Sequence, residues 1–102
     1  MANQYNLPYS NHPGCDVLVP NTKNSQKAIE SINSYIDKMC CEEFSVDISF
    51  MNIIDASYVS TLCSTHHYIK YPSGKINWFV SSDLIKNLNK DMSLGNSNYY
   101  TI

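Results

Sequence analysis

The ten residues 45–54, SVDISFMNII, together with the dozen residues after them, constrain the fold more than any other part of the chain. Val46, Ile48 and Phe50 alternate with Ser45, Asp47 and Ser49, the period of a strand with one face toward a core, and the run turns apolar on both sides at Ile53 and Ile54. At Asp55 the pattern changes to Val59, Leu62, Cys63 and His66, the spacing of a helix stripe. The expected local structure is a strand running into a helix through an exposed turn, with Asp55 as the helix N-cap.

The flanks repeat the alternation of strand and helix patterns. Residues 24–40 carry Ala28, Ile29, Ile32, Tyr35, Ile36 and Met39 at intervals of three and four, which predicts an amphipathic helix capped by Asn24 or Ser25. Before it, residues 16–19 read as a short strand ended by Pro20, which cannot donate to a ladder. After the central helix, Tyr71, Pro72, Ser73 and Gly74 form a turn, and residues 76–80 read as a strand buried on both faces. A short helix comes next, capped by Ser82 or Asp83 and burying Leu84, Ile85 and Leu88, and NYYTI supplies a last edge strand after Gly95. Residues 1–15, rich in Asn and Pro, read as an extended arm, and 16–102 as one domain. Strands alternating with helices predict a small α/β sandwich, with a mainly parallel sheet and about three helices.

Composition narrows the function. With 43% hydrophobic and 16% charged residues the chain can build a core, and a disordered chain is excluded. The net charge is −2, arginine is absent and the lysines are scattered, so the footprint of a nucleic-acid or anionic-membrane binder is missing. No apolar run approaches the roughly 20 residues that span a bilayer, and the first ten residues lack the pattern of a secretory signal, so the expected address is the cytoplasm. Cys15, Cys40, Cys41 and Cys63 match no disulfide or zinc spacing and read as reduced thiols.

Few residues offer chemistry. Asp55 has no acidic partner nearby in the chain for acid/base work. The three glycines are isolated, so no phosphate loop exists, and no cofactor is expected. Cys63, His66 and His67, at i, i+3 and i+4, give one alternative: a small metal-binding or thiol enzyme. A small-ligand module using the carboxyl ends of parallel strands is another. Among eight tyrosines, Tyr58 falls beside the expected turn and suits a partner-binding surface.

Residues 46–62, VDISFMNIIDASYVSTL, resemble the central segment of STAS domains, the family of anti-sigma-factor antagonists and the cytoplasmic tails of sulfate transporters. Asp47, Ser49, Ile54, Asp55 and Ser57 match that segment in order, and the helix before it and the strand and helix after it agree with the family's topology. The resemblance implies a STAS-like fold and a non-enzymatic, bacterial regulatory domain. Its partner would be an anti-sigma factor or regulatory kinase, bound through Asp55, Ala56, Ser57, Tyr58 and Val59. Ala56 stands where phosphorylated members carry the modified serine, and Tyr58 where glycine is common, which leaves Ser57 as the displaced phosphosite. A phosphate there is expected to alter docking without lowering the melting temperature.

Overall fold

The computed structural model describes residues 17–39, 41–90 and 94–102. Helix α1 (Ser25–Met39) precedes strand β1 (Glu43–Asp47), helix α2 (Ile53–Lys70), strand β2 (Lys75–Val80), the short helix α3 (Leu84–Leu88) and strand β3 (Ser97–Thr101). The three strands are parallel and lie side by side in chain order, with Phe44 opposite Ile76 and Ile76 opposite Ser97. Over the described residues the chain is therefore α/β, with a parallel sheet and three helices, and the expected last strand is present as β3.

The first expected strand is reduced to one bridge. Leu18 pairs in parallel with Val46, its amide donating to the Ser45 carbonyl at 2.9 Å while its own carbonyl accepts from Asp47 at 2.9 Å. Pro20, two residues on, has no amide to continue the ladder. Asp16 and the expected arm over 1–15 lie outside the described residues.

The largest correction falls on the segment that defined the expected fold. β1 ends at Asp47, not at Ile54, because the Asp47 carboxylate accepts from the Ser49 amide at 2.9 Å and the Ser49 hydroxyl at 2.7 Å. This side-chain turn pulls the backbone out of the ladder, and the Met51 amide closes it on the Ile48 carbonyl at 3.0 Å. Ile53 and Ile54 are the first two residues of α2.

Chain order decides which face of the sheet is buried. Consecutive parallel strands joined by right-handed crossovers place every connecting helix on the same side, and α2 indeed packs against both α1 and α3. Phe44, Val46, Ile48, Ile76, Trp78 and Val80 point into that helix layer and are fully buried, each contributing about 1.5–3 kcal/mol. The opposite face carries Ser45, Asp47, Asn77, Phe79, Asn98 and Tyr100, none of them fully buried. Phe79 is half-buried on that face, so β2 is buried on one side and not on two as expected. Asn98 donates to Asn77 at 3.0 Å and Asn77 to the Ser45 hydroxyl at 3.3 Å, a polar row across the three strands, while Phe79 and Tyr100 stack at 5.6 Å beside it.

Two turns confirm their sequence signals, one for a different reason. The Gly74 amide donates to the Tyr71 carbonyl at 2.9 Å, closing the turn after α2. Positive φ among the described glycines is found at Gly95 alone, at 82°. Gly74 is required by space: a Cβ there would press into the Glu42 carbonyl oxygen and come within 2.8 Å of the His67 ring.

Candidate functional site

Helix α2 begins with a reciprocal cap. The Asn52 side chain accepts from the Asp55 amide at 2.8 Å, and its own amide nitrogen donates to the Asp55 carboxylate at 3.1 Å. Asn52 is thus the N-cap and Asp55 the third helical residue, where its charge meets the positive end of the helix dipole. Asp55 is a capping partner, but not the cap expected from the sequence.

The expected docking residues separate by helix geometry. Ala56 and Val59 are fully buried together with Ser60, Cys63 and His67 on the inward side of α2. They are core and present no surface. Tyr58 is 49% exposed and stands on the outward side. With it stand Ile54, Leu62 and Ile69, exposed by 71%, 40% and 74%. With Thr65 these residues occupy a stripe only about 80° wide and about 22 Å long, nearly opposite the buried face. A helix covering a core on one side normally shows polar side chains on the other; α2 is apolar on both. Next to it, α3 buries Ile85 but exposes Leu84 and Leu88, which were expected in the core.

Ser57 lies between the two faces and is tied into a buried polar seam. Its hydroxyl hydrogen-bonds the side-chain carbonyl of Asn89, just past the end of α3. The Asn89 amide nitrogen donates to the Ser60 hydroxyl at 2.9 Å and meets the Tyr99 hydroxyl at 2.8 Å, while Tyr99 donates to Ser60 at 3.0 Å. One turn further along α2, Ser64 accepts from the Trp78 indole at 2.9 Å and from the Ser97 hydroxyl at 2.6 Å, and its carbonyl accepts from Asn96 at 2.9 Å. A connected network of this kind fixes α3 and β3 against α2. Asn89, its hub, carried no sequence signal beyond being an asparagine in a polar stretch.

Cys63, His66 and His67 point to different surroundings. The Cys63 thiol is buried against the Ile29 carbonyl and desolvation pushes its pKa up to about 12, so it is a poor nucleophile. His66 reaches outward to the Asp37 carboxylate at 2.8 Å. The His67 ring is buried between Phe44 and Tyr71, with Nε2 3.2 Å from the Cys41 carbonyl and Nδ1 without a partner. Among the described residues no three potential metal ligands come together. Cys41 is disulfide-bonded, which corrects the expectation of four reduced thiols. Lys70, in the last turn of α2, donates to the Asp37 carbonyl at 2.8 Å and so closes the end of α1.

Two clefts accompany these elements. One of about 400 Å³ lies along the outer edge of β3 between Lys86, Asn89, Lys90, Asn98 and Tyr100. A shallower one of about 270 Å³ sits at the carboxyl ends of the Leu18 segment and β1, lined by Pro20, Thr22, Lys23 and Phe50. No helix among the described residues is long and apolar enough to cross a membrane. No family model matches the chain, and neither a curated protein nor a solved structure matches it.

Proposed function

We propose that this chain is a non-enzymatic interaction domain that docks protein through the outward face of α2. The observation that carries this reading is the stripe of Ile54, Tyr58, Leu62 and Ile69, exposed on a helix whose other face already builds the core. Leaving large apolar side chains in water stabilises nothing in the monomer, whereas an aromatic residue among aliphatic ones on a rigid helix suits a protein interface. The buried seam from Ser57 through Asn89 to Tyr99 holds that helix in place and so presents the stripe as a preformed surface.

The likeness to STAS domains belongs to the same proposal. It is supported by the helix, strand, helix, strand, helix order around residues 46–62. On that likeness the partner class is an anti-sigma factor or regulatory kinase. Docking moves from the whole of 55–59 to Tyr58 and its outward neighbours.

The test compares wild type with the double variant Ile54→Asp, Leu62→Asp as immobilised bait in extract of the native host. A protein retained by wild type and lost by a variant of equal melting temperature is the expected result. Identical retention by both, or none by either in extract and in self-association, overturns the reading.

A further inference from the structure

We infer that the outer edge of β3 takes up an extended acidic segment of another protein as a further strand of the sheet. This surface is separate from the outward face of α2, and the inference goes beyond the reading above without depending on it. Its basis is the phase of the ladder between β2 and β3. The Ile76 amide donates to the Asn96 carbonyl at 2.9 Å and the Ile102 amide to the Val80 carbonyl at 3.0 Å. A parallel ladder bonds alternate residues of a strand to the same neighbour, so Asn96, Asn98, Tyr100 and Ile102 serve β2. The amides and carbonyls of Ser97, Tyr99 and Thr101 therefore point to the margin, and none of them meets a partner among the described residues. The strand also lacks the devices that close an edge. Ser97–Thr101 holds no charge and no proline, and its register with β2 runs without a bulge.

The cleft of about 400 Å³ along this margin selects the occupant. Lys86 and Lys90 stand on its wall, both exposed and neither in an ion pair among the described residues, and no acidic side chain lines it. Asp83, near the end of β3, is taken by the Thr101 hydroxyl. Side chains of an added strand project alternately, so every second one turns toward the helix layer and these lysines. Two residues of strand cover about 7 Å, and four residues of helix about 6 Å. Carboxylates two positions apart on the added strand can therefore meet Lys86 and Lys90 together. A second copy of this chain would bring its own two lysines to the shared margin. Residues 1–15 hold no acidic side chain and lead into the sheet at its other margin, where Leu18 bridges Val46. Charge thus selects a separate acidic segment, added through main-chain bonds that the edge already presents.

Amide exchange and chemical shifts of the isotope-labelled full chain test this, with the end-blocked hexapeptide TEVEVT as probe and TKVKVT as its basic counterpart. In the free chain the amides of Ser97, Tyr99 and Thr101 are expected to exchange faster than those of Asn98 and Tyr100. Saturating TEVEVT is expected to slow the first three, and TKVKVT to bind about tenfold more weakly. Lys86→Glu combined with Lys90→Glu is expected to reverse that preference. Thr101→Pro removes an outward donor and leaves the ladder bonds of Tyr100 and Ile102 in place. It is expected to lose TEVEVT at a little-changed melting temperature, while Thr101→Val, which keeps the amide, binds as wild type does. Outward amides protected in the free chain at every concentration would assign the edge to the chain's own residues, and protection that grows with concentration to a second copy; either overturns the inference. So do equal affinity for the two peptides, shifts from TEVEVT that miss β3, and no binding of TEVEVT at millimolar concentration. Ile54→Asp with Leu62→Asp is expected to bind TEVEVT unchanged, so failure at β3 leaves the α2 reading standing.

Discussion

Ser57 on α2 and Asn89 after α3, 32 residues apart in the chain, share a hydrogen bond between hydroxyl and side-chain carbonyl. The bond leaves Ser57 occupied by its own fold, unlike a hydroxyl waiting on the surface for a modifying enzyme. Ser57→Asp replaces a donor with a second acceptor facing the Asn89 carbonyl. It is expected to lower the melting temperature by more than Ser57→Ala, which forfeits about 1 kcal/mol. Thermal unfolding of the two variants checks the order, and an unchanged Ser57→Asp would revive the phosphosite.

Asn89→Ala removes the hub of the seam and strips Ser57, Ser60 and Tyr99 of a common partner. Each buried polar group so orphaned costs about 1–3 kcal/mol. Urea unfolding is expected to show a midpoint lowered by at least one such increment at unchanged slope.

Asn52→Ala tests where α2 starts. Loss of the cap on the Asp55 amide is expected to cost about 0.5–2 kcal/mol, while Asp55→Asn, which keeps a side-chain acceptor for Asn52, costs less. The reverse order would return the cap to Asp55.

Gly74→Ala is expected to destabilise by about 1–3 kcal/mol, since its methyl group meets the Glu42 carbonyl and the His67 ring. Gly95→Ala has nothing within 4 Å and answers only for its positive φ, a cost of about 1 kcal/mol. Unfolding of both variants separates the steric from the conformational demand for glycine.

Burial holds the His67 pKa below its ordinary 6.5, with the Cys41 carbonyl opposing the shift. The unfolded chain therefore takes up a proton at His67 before the folded chain does, so stability falls as the pH drops below 6.5 toward the lowered folded value. Melting temperatures measured above the carboxylate range, about pH 4, are expected to decline across that window in wild type and to stay flatter in His67→Gln.

Helix α1 was legible because its apolar positions fall on one side, and the structure places the expected Asn24 at its start, accepting from the Lys27 amide at 2.9 Å. The beginning of α2 was not. Two β-branched isoleucines prolonging an alternating run look like strand, and only the Asp47–Ser49 turn and the Asn52–Asp55 cap, both within reach of a local reading, outweigh them. The parallel sheet emerged from the alternation of patterns, yet the one-sidedness of β2 did not, because Phe79 is as apolar as Trp78 and only strand order tells them apart. Of the expected site, Tyr58 kept its exposure. Ile54 joined it once the helix cap was seen to lie three residues earlier, at Asn52, and Leu62, expected in the stripe with Val59 and Cys63, proved to face outward. Asn89 belongs to long-range contact, which periodicity does not encode.

Because neighbours in the sheet are also neighbours along the chain, each strand has its template ready one crossover earlier: Lys75 finds Glu43, and Ser97 finds Ile76. A ribosome releasing this chain can therefore complete it unit by unit, every new crossover docking on the one just made, without holding an early segment open for a late arrival. β3 emerges after β1 and β2 and lies at one margin of the described sheet, so a truncated product that stops short of Ser97 still contains a paired β1 and β2, and loses the lock on α3 rather than the centre of the sheet.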